Sequence, residues 1–307
     1  LNVPIADKGI RTMTVADELS LLMQNHDDEP EAAAGQLRHI AQSPVPADQL
    51  GRFSWLCVHV IGEKYQRWSE AYELIVKASS AHETIPLAAL RNAAVAAHLS
   101  GDLLTGLTLE RRMTQHGLRP DQAATVVRAA ALSFLPIRER AVDAAIALQT
   151  VVAAVRQWDE TKDADTLVAA SLNNIVSALL ELDDETLAQS QVREAMTDGA
   201  FAARELWHRA GTWVNHERAD YLCALVFNRL GECAKALEAA ERGRQLIETH
   251  GSEDVDLAFL MLESAQALFG LERREEGAGW LRQAAAIAEG WDDESLRDWF
   301  AGKPKPL

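Results

Sequence analysis

The residues best able to do chemistry in this chain are its histidines, carboxylates and tryptophans. His208 and His216 could offer two imidazoles to one metal ion, but only if a single helix runs unbroken through Gly211-Thr212. No His-Glu-x-x-His pair, glycine-rich phosphate loop or nucleophile elbow occurs. The carboxylates fall on outer faces and loops, where solvation accounts for them. An enzyme is therefore not expected, and neither a cofactor nor a metal is expected. Trp55, Trp68, Trp207 and Trp280 recur at helical spacings that packing would bury, whereas Trp213 and Trp291 flank turns.

The elements that must position any site are helices. Alanine is abundant, proline and β-branched runs are scarce, and no stretch alternates in the manner of an exposed strand. The clearest stretch is Ala219 to Glu289. Tyr221–Leu230 is apolar at helical spacing, Gly231 interrupts it, and Ala234–Ile247 resumes it; Asp254–Phe269 and Glu275–Ala288 form the next pair. Small residues repeat with these pairs. Ala224 is followed by Gly231, Ala236, Ala240 and Gly243, and the same offsets from Ala265 give Glu272, Gly277, Leu281 and Ala284, a period of 41 residues (265 − 224). Small side chains let helices approach closely, so a repeated small set is a packing rule for helix pairs.

Upstream, the same reading predicts helices over Val15–Asn25 and Glu29–Ala41, and a pair over Asp48–Glu63 and Trp68–Ser79. In that pair His59 replaces the usual small residue. Pro86 and Arg119-Pro120-Asp121 open the third and fourth pairs, the fourth running on to about Trp158. Asp165–Leu182 begins the fifth. Glu185–Gly211 is too long for an ordinary second helix and is either one extended helix or two, broken near Asp198-Gly199. Asp292-Asp293-Glu294 signals a last helix whose Leu296, Trp299 and Phe300 would cap the final pair.

The spacing resembles the tetratricopeptide repeat, including its longer form of about 40–42 residues. The match is carried by Cys223-Ala224, Gly231, Ala236 and Gly243, by Met261, Ala265, Gly277, Leu281 and Ala284, by Asn92-Ala93-Ala94 with Gly101 and Gly106, and by Leu172-Asn173-Asn174-Ile175. The resemblance implies an all-α, right-handed superhelix of about seven helical hairpins with a C-terminal capping helix. Its domains would be a loose lead-in over 1–13, a repeat domain over 14–289, and a cap and frayed tail over 290–307.

The 307 residues carry a formal net charge of −16. That balance speaks against nucleic acid or an anionic membrane as the direct partner and permits a basic one. Cys57, Cys223 and Cys233 each sit among apolar neighbours in a predicted helix, as buried free thiols in a reducing compartment would. Residues 1–14 have no signal-peptide core, and no apolar run reaches about 18 residues, so a cytoplasmic location is expected. The chain begins with Leu1, which leaves room for upstream residues, an output domain among them. No signal of oligomeric state emerges.

In an array of such hairpins the first helices line the inner face and meet the ligand. That face should carry Arg91, His98, Asn173, Ser177, Tyr221, Asn228 and Gln266, with Arg218 at its rim. The mixture suits a peptide backbone held by amides and an acidic group paired with arginine. The function expected is a protein- or peptide-interaction scaffold. The alternative is a regulatory sensor for a short peptide or small molecule.

Overall fold

The computed structural model describes residues 13–303, so the expected lead-in, Met13 apart, and residues 304–307 of the tail lie outside the described residues. Among the described residues every regular element is helical, and no helix is long and apolar enough to cross a membrane. The helices pack as two compact units divided after Gly117, a boundary that the sequence reading does not mark.

In the first unit α1 (Val15–Asn25) packs on α2 (Pro30–Ile40). α3 (Leu50–Leu56) runs on as a π-helix over Cys57–Lys64 and packs with α4 (Trp68–Ser79). α5 (Leu87–Leu99) pairs with α6 (Leu103–Met113), which ends in a 3-10 turn at Thr114–His116. In the second unit α7 (Pro120–Ser133) pairs with α8 (Ala141–Val155). α9 (Lys162–Leu180) pairs, across the single turn of α10 (Asp184–Leu187), with α11 (Ser190–Ala210). α12 (Trp213–Arg229) pairs with α13 (Cys233–His250), α14 (Asp254–Gly270) with α15 (Arg274–Glu289), and α16 (Glu294–Gly302) closes the chain. α7 packs on α9, α9 on α12, and α12 on α14, so the first helices of successive pairs lie side by side.

The turns show why the pairs recur. Gly101, Gly231 and Glu272 all adopt positive φ, at 89°, 75° and 61°. After each, the next N–H reaches back to the carbonyl five residues earlier: Asp102 to Ala97 at 2.9 Å, Glu232 to Phe227 at 2.8 Å and Arg273 to Leu268 at 2.9 Å. This is the left-handed helix stop that satisfies orphan carbonyls and reverses the chain. Gln66, with φ 56°, does the same after the π-helix, but Arg67 bonds Ile61, one residue further back, at 3.0 Å. The π winding absorbs one extra residue and still ends on the same turn.

The start signal read at Asp292-Asp293-Glu294 acts as a cap, and α1 has one that the sequence reading did not name. Thr14 and Asp17 form a capping box on α1, and Asp293 accepts the Leu296 N–H at 3.0 Å. The long segment resolves differently from both expected forms: it breaks at Ala188-Gln189, and α11 then passes Asp198-Gly199 uninterrupted. α8 stops at Val155, short of Trp158. Of the four tryptophans expected in the core, Trp68 is buried and Trp55, Trp207 and Trp280 are half-buried; Trp158 is buried instead. All three cysteines are free, but Cys233 is only half-buried because it opens α13.

α16 packs through Phe300, which is 3% exposed and meets the Phe259 ring edge-on at 5.3 Å and the Trp291 ring at 5.6 Å. It thus covers Phe259 of α14 as well as α15, and ends the apolar cluster of the last hairpin.

Three stability outcomes follow from turn and cap. Gly231→Ala places a Cβ at positive φ and should destabilise the chain by about 1–2 kcal/mol, whereas Glu272→Gly relieves the same strain and should cost nothing or stabilise by up to about 1 kcal/mol. Phe300→Ala should cost about 3 kcal/mol through the cavity left against Phe259. Urea unfolding of each variant measures all three, and an unchanged midpoint for Phe300→Ala would mean that α16 does not seal the last hairpin.

Candidate functional site

Side-by-side packing of α9, α12 and α14 leaves a groove of about 460 Å³, bordered at one end by Trp299 of α16 and by Lys303. Helical spacing explains its walls. Tyr221, Leu225 and Asn228 fall on one face of α12, and Leu262, Glu263 and Gln266 on the facing side of α14. Ser177 and Leu180 complete it from α9.

At the floor, Asn228 Nδ2 donates to Glu263 Oε2 at 2.7 Å and to the Glu263 carbonyl at 3.0 Å. Its Oδ1 is buried with no hydrogen-bond partner. Glu263 is buried, and burial raises its carboxyl to about 7, against the Asn228 hydrogen bond and the Lys303 charge, which lower it. Burial and the Glu263 charge together raise the Tyr221 phenol, so it remains a neutral donor and acceptor. Trp299 leans on Phe259 with centroids 4.5 Å apart and is 52% exposed; the Lys303 ammonium lies 4.3 Å over its ring. Arg229 is held by Asp184 at 2.6 Å and by the Leu182 carbonyl at 2.8 Å, so its donors are spent on fixing the α9–α10 turn.

Four of the residues expected on a ligand face, Ser177, Tyr221, Asn228 and Gln266, thus line one groove. The other four are placed differently. Asn173 lies outside the groove, half-buried, with its Oδ1 unpartnered. Arg218 is committed to Asp256 at 2.9 Å, with Glu217 at 3.5 Å and Glu253 at 4.0 Å, because three carboxylates converge on it. Arg91 and His98 belong to the first unit. Arg91 donates from Nε and Nη2 to Asn92 Oδ1, at 3.0 and 2.9 Å, and burial lowers its guanidinium to about 10. His98 turns into the α5–α6 pair, where Nε2 meets Glu110 Oε1 at 2.8 Å and the ring fills the space over Gly106.

Glu263 and Lys303 escaped the sequence reading, and Trp299, read there as a capping contact, is half exposed and borders the groove instead. The available signal was Glu263 itself, an acid set within the apolar run Leu257–Phe269 of α14. His208 and His216 do come together, with rings stacked at 4.3 Å, although the helix breaks between them. The break folds α12 back along α11 and achieves what an unbroken helix was expected to do. Burial, then the neighbouring His216, lowers the pKa of His208.

Glu263 makes stability depend on pH in a stated direction. Its folded value of about 7 lies above the ordinary 4.5, so the unfolded chain releases this proton first as pH rises. The Glu263 contribution is complete below 4.5, declines up to about 7 and is then level. Relative to Glu263→Gln, the wild-type chain should lose about 2 kcal/mol between pH 5 and pH 8 in urea unfolding. A constant difference between the two proteins would show that Glu263 ionises as an ordinary exposed acid does.

No family model matches the chain, and no curated protein matches it either.

Proposed function

We propose that residues 118–303 act as a peptide-recognition module of a cytoplasmic interaction scaffold, with a partner segment lying in the groove between α9, α12 and α14. The pairs are taken to stack as the right-handed superhelix that the resemblance to tetratricopeptide repeats implies. What carries the reading is Asn228 Oδ1. A buried acceptor left unpaired costs about 1–3 kcal/mol, and an N–H donor brought by a ligand would recover it once the Asn228 side chain shifts enough to expose the oxygen. Beside it, Glu263 supplies a further acceptor, charged or neutral near physiological pH, and Tyr221 and Gln266 can each donate and accept. A peptide offers backbone and side-chain N–H groups at this spacing, and Trp299 gives an apolar residue somewhere to rest.

The regulatory-sensor alternative uses the same groove, since about 460 Å³ also accommodates a small molecule.

Selection of a random peptide display library on the full chain tests the first reading. Enriched peptides should bind with micromolar affinity, and Gln266→Ala and Trp299→Ala should each weaken them by about tenfold, near 1.4 kcal/mol. Binding unchanged in both variants would place the peptides elsewhere and overturn the assignment.

A further inference from the structure

The first unit holds a second set of converging polar groups, at the end of α1 and on the π-helix that continues α3. His26 caps α1, Asp27 follows it, and His59 stands on the π-helix. One nitrogen from each imidazole and one Asp27 oxygen all lie within 4.8 Å of one another.

The outer contacts fix which nitrogens these are. His26 Nδ1 lies 3.0 Å from the Leu22 carbonyl and 3.1 Å from the Met23 carbonyl, so it carries the proton. His59 Nδ1 lies 2.6 Å from Glu63 Oε2 and is protonated likewise. With both Nδ1 atoms engaged, the Nε2 atoms face Asp27, at 3.6 Å from Oδ2 for His26 and 3.4 Å from Oδ1 for His59. Lys64 Nζ, 2.5 Å from Asp27 Oδ1, supplies positive charge beside these three groups, and a metal ion would supply it among them. Carbonyl or carboxylate partners behind metal-bound imidazoles orient the rings in this way.

Neighbours hold the rings. Trp55 stacks on His59 at 4.9 Å and 16°, and meets His26 edge-on at 5.5 Å. His26 is only 7% exposed, while Asp27 is open to solvent and gives an approach. Lys64 Nζ donates to Asp27 Oδ1 at 2.5 Å.

We propose that His26, Asp27 and His59 form a binding site for a divalent transition-metal ion of the zinc type, with the fourth position left to water. Two imidazoles and one carboxylate are a donor set of that class. Bonds of about 2.0–2.1 Å in a tetrahedron separate ligand atoms by about 3.3 Å, so the three donor atoms, now within 4.8 Å of one another, would draw together slightly around the ion. Lys64 is a competitor: its ammonium now neutralises Asp27, and it must swing away when metal binds. His26 and His59 lie on different helices with no local ligand spacing, so motif searching passes over them. The departure from small residues at His59, and the extra residue in its helix, place an imidazole where the repeat pattern has a packing contact.

Cobalt(II) titration of the chelator-treated full chain tests the site, read by visible absorption and by calorimetry with zinc. One equivalent should bind with the absorption of a low-symmetry nitrogen–oxygen site. His59→Ala and Asp27→Asn, both at partly or fully exposed side chains, should abolish saturable binding at one equivalent while leaving the helical circular dichroism unchanged. Glu63→Gln should weaken binding by about 10–100-fold, the range for loss of an outer partner, and Lys64→Ala should tighten it. Absence of one-equivalent binding, or binding that persists in both His59→Ala and Asp27→Asn, overturns the proposal.

Discussion

Close approach of helix backbones at small side chains is the constraint from which the second unit follows. A Cβ added at Gly243 would stand 2.8 Å from Leu260, and one at Gly277 would stand 2.9 Å from Phe269 and 3.2 Å from the Ala265 carbonyl. Those glycines let α13 settle on α14 and α15 on α14, with no room for a larger residue. Gly199 does the same for α11, where a Cβ would meet Val176 of α9 at 2.8 Å and Leu148 of α8 at 3.1 Å. With second helices drawn in so tightly, the first helices α9, α12 and α14 become neighbours, and their remaining side chains define the groove.

Packing at that density leaves little choice over where charge goes. Asp220 on α12 is buried yet accepts from Arg204 of α11 at 2.7 Å and Arg242 of α13 at 3.0 Å, tying three helices at one carboxylate. Asp165 on α9 accepts from Arg209 of α11 at 3.0 Å in the same manner. Buried ion pairs add little net stability, but removing one partner leaves a costly charge, so they specify which helices meet. Glu217 is different: burial first, then the Asp256 carboxylate, pushes it up to about 9, so it is a neutral acid at pH 7. It borders Arg218, whose guanidinium is thereby occupied by acids rather than open to a ligand.

The groove floor and the histidine cluster of the first unit share one physical feature. In both, a polar atom is held at a fixed place by a bond on its other side. Asn228 turns Nδ2 to Glu263 and leaves its buried oxygen unpartnered, and His59 turns Nδ1 to Glu63 and turns Nε2 to Asp27. A half-satisfied polar group held rigidly is suited to meet an incoming partner because little reorganisation is needed.

The sequence by itself determined the helices and the turn positions. Apolar residues three and four apart, and a small or left-handed position after α5, α12 and α14, are local properties; they located α4 residue for residue and the stops at Gly101, Gly231 and Glu272. It also selected Tyr221, Asn228 and Gln266 for one face, since that follows from periodicity along α12 and α14. Only the tertiary structure decided whether a polar side chain is open or spent. Arg218 and His98 look alike with Asn228 in the sequence, yet Asp256 and Glu110 reach them from other helices and use their hydrogen-bonding capacity. The division after Gly117, the π winding at Cys57–Lys64 and the meeting of His26 with His59 were likewise decided by packing between helices, because no residue nearby in the chain carries that information.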